Sequence, residues 1–150
     1  MKNEDIYSLP IQKIADENCL LFLWATSPKL DIAMETIKRW GFEYKTIGFV
    51  WHKKSHMPGN YTISSCEICL IAKKGSIPKP RGKRNVEQFL SEKRTTHSKK
   101  PNTIRERIKL MFPSQNKIEL FARKENTLFP LKDWDGWDIW GNEVKSDIKL

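Results

Sequence analysis

Six consecutive apolar residues, CLLFLW at 19–24, constrain this chain more than any other feature. The run is short and continuously apolar. It predicts a strand covered on both faces, and hence a parallel sheet. TSPKLDIAMETIKRWGF follows directly, with Ser27 placed to cap a helix and Pro28 suited to its first position. Leu30, Ala33, Met34 and Ile37 make one apolar face, and Gly41 marks the stop. Strand followed by helix predicts the α/β class rather than an all-β fold or a helical bundle.

The rest of the chain extends that pattern. YKTIGFVWHKK (44–54) and YTISSCEICLIAKKG (61–75) read as strands around the loop SHMPGN. NTIRERIKLMF places Ile104, Ile108, Met111 and Phe112 on one helical face, and KIELFAR (117–123) alternates as a strand does. GWDIWGNEV closes the pattern with a short strand and a turn. Trp134, Trp137 and Trp140 fall within seven residues. Each tryptophan brings on the order of 150–250 Å² to bury, so this tail is expected to dock rather than fray. The 150 residues suffice for one domain with its own core. No apolar run approaches the roughly 18–20 residues of a membrane helix. The odd set Cys19, Cys66 and Cys69 fits reduced thiols, so a cytoplasmic protein without membrane contacts is expected.

Charge is concentrated rather than spread. Residues 73–100 hold ten Lys/Arg against Glu87 and Glu92, a net +8 of the chain's +9. Such a strip, read as a mobile loop, draws a polyanion through phosphate contacts and counterion release, or is simply solvated. Lys79, Arg81, Lys83 and Arg84 are its candidate nucleic-acid contacts.

CEIC at 66–69 invites a metal or redox reading, which the spacing opposes. Residues three apart on a strand face opposite ways, and no second cysteine pair completes a four-ligand site. Glu67 stands mid-strand in an apolar context, where it is either an edge-strand carboxylate facing water or a site residue. No Gly-x-Ser-x-Gly elbow, phosphate-cradling glycine loop or His-Glu-x-x-His helix is present, which removes support for ordinary hydrolase and kinase chemistry. What remains is a set of polar residues at predicted strand ends and before a helix: Lys100, Arg123, Asn126, Asn142 and Glu143. In open α/β sheets ligands bind beyond the carboxyl ends of strands, so these side chains could hold the ribose and amino-acid ends of a cofactor.

Taken in order, LFLWATSPKLDIAMETIKRWGFEYKTIGFVWHKK, CEICLIAKKG, HSKKP, KIELFAR and GWDIWGNEV resemble the MT-A branch of S-adenosylmethionine-dependent adenine N(6)-methyltransferases. That branch includes the mRNA N(6)-adenosine writer and bacterial and phage DNA-modifying enzymes. The resemblance runs from about Leu9 to Val144. It implies a Rossmann-like methyltransferase sheet with S-adenosylmethionine at the carboxyl ends of its strands. Lys100 matches the family's lysine before proline near the cofactor, and Arg123 and Asn126 match polar residues after the ELF strand. Asn142 and Glu143 match a pair that hydrogen-bonds the cofactor's ribose, and Glu67 matches a carboxylate close to the substrate. On this resemblance, the tail tryptophans clamp Asn142 and Glu143 at the ligand.

One departure is large. The family's catalytic Asp-Pro-Pro-Trp is missing, since prolines occur at 10, 28, 58, 78, 80, 101, 113 and 130, never adjacent. In the family that motif lies upstream of the part matching NEDIYSLPI. The expectation is therefore a single, partial methyltransferase-like domain over 1–150, lacking its amino-terminal strand or strands and exposing a sheet edge open to a homo- or hetero-oligomeric partner. As a function, this implies methyl transfer from S-adenosylmethionine to adenine in DNA rather than RNA, with this chain inactive alone. The alternative is a non-catalytic nucleic-acid-binding subunit of a methyltransferase complex.

Overall fold

The computed structural model describes residues 2–55, 58–95, 99–123 and 136–150. The chain forms two compact units, Met1–Pro113 and Ser114–Leu150. The first contains α1 (Asn3–Tyr7), β1 (Cys19–Ala25), α2 (Leu30–Arg39), β2 (Glu43–His52), β3 (Cys66–Lys74), β4 (Phe89–Ser91) and α3 (Asn102–Met111). The second contains β5 (Ile118–Leu120) and β6 (Asp138–Trp140). The α/β class expected from the sequence is the one observed.

The sheet of the first unit has the order β1-β3-β2-β4. It is mixed, which corrects the expectation of an all-parallel sheet. β1 and β2 run the same way because α2 carries the chain across between them, as a parallel crossover requires. β2 and β3 are joined by a loop without a helix, so β3 returns antiparallel, and it lies between β2 and β1. β4 then adds parallel to β2 on the far side. β1, β2 and β4 thus point their carboxyl ends the same way, and the start of β3 lies among them. CLLFLW is a strand as predicted, but only Ala25 of β1 is fully buried; the others are half-covered. β1 is an edge of this sheet, with β3 on one side and no strand on the other among the described residues.

The core gathers Phe49 and Trp51 of β2, Cys69, Leu70 and Ala72 of β3, Ile37 and Trp40 from α2 and its end, and Ile104, Ile108 and Phe112 around α3. The buried side of α2 is rotated from the sequence expectation. Ala33, Thr36 and Ile37 are buried, whereas Leu30 and Met34 are 40% and 38% exposed. Thr36 is tolerated inside because its hydroxyl donates to the Ile32 carbonyl at 2.7 Å. Ser27 does not cap α2: it opens a 3-10 turn, Ser27–Lys29, and the helix begins without a side-chain cap. Gly41 does end it, at φ +74°, a conformation that favours glycine.

In the second unit β5 and β6 pair in parallel, Ile118 beside Asp138 and Leu120 beside Trp140. The tail is docked by backbone and ring together. The Ala122 amide donates to the Trp140 carbonyl at 2.9 Å, and Phe121 meets the Trp140 ring edge-on at 5.5 Å. Gly141 passes so close to Ala122 that an added Cβ would stand 2.3 Å from its carbonyl oxygen. The Asp147 carboxylate accepts the Ile139 amide at 3.0 Å and tethers the following turn. Trp134 lies outside the described residues.

Candidate functional site

The carboxyl ends of β1, β2 and β4 bring together one cluster of charge. Trp51 near the end of β2 stands beside Glu67 at the start of β3, and Trp24 near the end of β1 stands beside Cys69. Partners in register share a face, so Trp24, Trp51 and Glu67 lie on the same side of the sheet. Trp24 and Trp51 meet edge to face at 6.2 Å. The Lys100 ammonium, two residues before α3, lies 2.5 Å from one oxygen of Glu67 and 5.7 Å from the centre of the Trp24 ring. Lys53, just past β2, reaches the other oxygen at 3.5 Å.

These are largely covered charges. The Glu67 side chain is 12% exposed, Lys53 15% and Lys100 25%. One carboxylate between two ammoniums leaves the cluster net positive. With so little water present, each charge depends on its partners and on the tryptophan faces for compensation. Glu67 is therefore not the edge-strand carboxylate facing water that local sequence allowed, because β3 has neighbours on both sides. A second layer holds the wall in place. The Trp51 indole donates to the Glu92 carbonyl at 2.8 Å, and the Glu92 carboxylate accepts the Thr103 hydroxyl at 2.8 Å on the first turn of α3.

Beside Lys100 a cleft of about 80 Å³ is lined by Trp51, Glu92, Lys93, Thr95 and Asn102 among others. That space admits a phosphate or carboxylate group, and falls well short of the roughly 300 Å³ at which small-molecule pockets begin. Its lysines favour an anionic group.

The remaining candidates fall in different settings. In the second unit Arg123 approaches Glu143 at 3.8 Å, with both side chains more than half exposed. Asn142, next to Glu143, is exposed as well. Asn126 lies outside the described residues. Lys79, Lys83 and Arg84 are exposed, whereas Arg81 stacks over the Phe112 ring at 5.7 Å and buries its Nε with no hydrogen-bond partner among the described residues. The basic segment is also tied down. The amides of Gly82 and Lys83 donate to the Met111 and Leu110 carbonyls at 2.8 Å, and Phe89–Ser91 within it form β4.

Cys66 is exposed and Cys69 fully buried. Burial also pushes the Cys19 thiol above its ordinary value, which lowers its nucleophilic character. Sequence reasoning missed Lys53, Trp24, Trp51, Glu92 and Thr103. The only local signal was the basic pair after VWH; the contacts themselves depend on strand order and register.

A family model described as MT-A70 matches residues 1–143. The type II methyltransferase M.MunI of Mycoplasma sp is 44% identical over 144 residues, covering 96% of this chain and 58% of that protein. A putative N(6)-adenosine-methyltransferase MT-A70-like of Medicago truncatula is 32% identical, covering 87% of this chain and 21% of that protein. The N(6)-adenosine-methyltransferase catalytic subunit METTL3 of Homo sapiens is 27% identical, covering 96% and 25% respectively. The chain thus spans little more than half the length of the first of these relatives and a quarter or less of the other two.

Proposed function

The chain belongs to the MT-A70 family, and from that premise we propose that it forms the cofactor and recognition side of a Rossmann-like adenine N(6)-methyltransferase acting on DNA. The observation that carries this reading is the Glu67–Lys100 pair against Trp24, at the carboxyl ends of the aligned strands where α/β folds take ligands. S-adenosylmethionine, when bound, supplies the methyl group. The donor set suits it. Within the first unit Lys100 and the small lysine-lined cleft beside it suit a carboxylate; the family resemblance proposes Arg123, Asn126, Asn142 and Glu143 as further cofactor contacts, the last two on the ribose. Glu67 would hold a polar group of the substrate while Lys53 and Lys100 fix its two oxygens in place. Lys79, Lys83 and Arg84 would meet phosphates, with Arg81 serving more through packing. The greater likeness to the type II methyltransferase than to the N(6)-adenosine enzymes favours DNA.

No Asp-Pro-Pro-Trp or adjacent proline pair occurs in the sequence. This favours a chain that binds but does not turn over alone, and it keeps a second reading in view: a non-catalytic nucleic-acid-binding subunit. A partner strand, from another copy or another protein, would join at the edge of β1 that carries no strand among the described residues. No helix among the described residues is long and apolar enough to cross a membrane; we place the protein in the cytoplasm. The test is transfer of labelled methyl from S-adenosylmethionine to an adenine-containing duplex, with solution mass measured in parallel. Binding of cofactor and DNA without turnover supports the reading. Turnover by a monodisperse monomer overturns the assignment of an incomplete site, and binding of DNA without any cofactor selects the second reading.

A further inference from the structure

On the face of the sheet opposite Trp51 and Glu67, the β2–β4 edge carries a second aromatic feature that the methyl-transfer site does not use. The rings of His52 and Phe89 lie stacked, centroids 6.4 Å apart and planes within 18°. Phe89 is nonetheless 56% exposed. Phe89 sits beside Val50 and Ser91 beside His52 in parallel register, so these side chains share a face, while neighbouring Trp51 and Leu90 turn into the core.

The pair is rigidly mounted. His52 Nδ1 lies 3.1 Å from the Ser91 hydroxyl, and the His52 carbonyl accepts the Glu92 amide at 3.1 Å. Arg107 of α3 donates to the Glu87 and Phe89 carbonyls at 2.8 and 3.0 Å, and the Gln88 side chain donates to the Ile47 carbonyl at 2.6 Å. An exposed phenylalanine on a strand fixed at both ends is a flat apolar surface held ready at no further ordering cost. The charges next to it are mainly positive, with exposed Glu87, two residues before Phe89, set against them. Lys54 follows the end of β2 and Arg94 follows the end of β4, and both are exposed. At about 3.3 Å per residue neither is more than a few residues' reach from the stacked rings.

We propose that the His52–Phe89 pair is a stacking platform for a nucleobase of the bound nucleic acid, outside the methyl-transfer site, with Lys54 and Arg94 holding the adjoining phosphates. This rests on the reading that the chain acts on nucleic acid, and adds a base contact that tolerates sequence because every base offers a π face. Stacking on an aromatic ring and neutralising phosphates leave different signatures: the first changes affinity at every salt concentration alike, the second changes the salt slope.

The test uses the full chain, a single-stranded oligonucleotide containing 2-aminopurine, and the matching duplex, titrated across a range of salt. Phe89→Ala should weaken binding to the single strand about ten-fold, with the salt slope unchanged and the fluorescence quenching of 2-aminopurine abolished. Phe89→Trp should restore both. Replacing Lys54 and Arg94 with Ala should flatten the slope while leaving the quenching of bound oligonucleotide. Wild-type affinity and quenching in Phe89→Ala would overturn the platform and leave the methyltransferase reading standing. Absence of nucleic-acid binding by the wild-type chain would overturn both. A change of solution mass in Phe89→Ala with unaltered DNA affinity would make this edge a protein contact and the proposal wrong.

Discussion

Two glutamate–cation contacts on this chain both pair a carboxylate with a basic side chain and differ in kind. Glu67 lies between Lys53 and Lys100 with little of its side chain in water, against two tryptophans and on a strand paired on both sides. Glu143 faces Arg123 at 3.8 Å with both side chains open to solvent. In the first case the fold has already removed water, so the charges hold one another in place and any ligand meets a preset arrangement. In the second, water screens the pair and the side chains remain available. Burial thus separates a pair held in a preset arrangement from a pair left open to solvent.

The largest effect should come from the buried side. Glu67→Gln leaves two ammoniums facing each other in a largely dry setting and should destabilise the first unit by about 3 kcal/mol. Thermal unfolding would show it, with little relief from added salt because covered charges are poorly screened. Glu143→Gln, measured alongside, should move stability by less than about 1 kcal/mol. Equal destabilisation by the two variants would erase the distinction between the buried and the open pair.

A next-smaller effect should follow from the backbone that carries the exposed pair. Gly141→Ala forces a Cβ against the Ala122 carbonyl. It should cost about 2 kcal/mol of local stability, read as faster amide exchange in β6 with β1–β3 unaffected. Uniform exchange across both units would mean that the tail is not held at this crossing.

The smallest effect concerns exposed charges. Replacing Lys79, Lys83 and Arg84 together with Ala should leave folding unchanged and reduce the salt slope of duplex binding by up to about 0.9 for each phosphate no longer neutralised. Arg81→Ala should differ in kind, lowering stability by removing the packing on Phe112. If Arg81 behaved like the other three, its stacking would be incidental.

What the sequence revealed and what it hid divide along the range of the interactions. β1, α2, α3 and β5 announce themselves through local apolar pattern, and Gly41 through its effect on a helix end. Strand order does not. CLLFLW reads as fully buried because local pattern cannot say that β3 returns antiparallel and leaves β1 at an edge. The same gap hides the setting of Glu67, whose environment is set by β2 in register and by Lys100 far along the chain. Lys53 was missed for that reason as well. Thr36 displaced Met34 from the inner face of α2 because its hydroxyl finds the Ile32 carbonyl, a compensation that polarity alone does not reveal. That Arg123 and Glu143 each follow a short strand was legible; that those strands pair in parallel and bring the two side chains to 3.8 Å was not.

The most direct test of the proposed cofactor side is equilibrium dialysis of labelled S-adenosylmethionine against the wild-type chain, Lys100→Ala and Asn142→Ala. Saturable binding to wild type is predicted. Removing a hydrogen bond or charge interaction of about 1–3 kcal/mol should weaken it at least five-fold in each variant, with Asn142→Ala keeping the wild-type melting temperature. Wild-type affinity in both variants, or no saturable binding to the wild-type chain, would contradict the account.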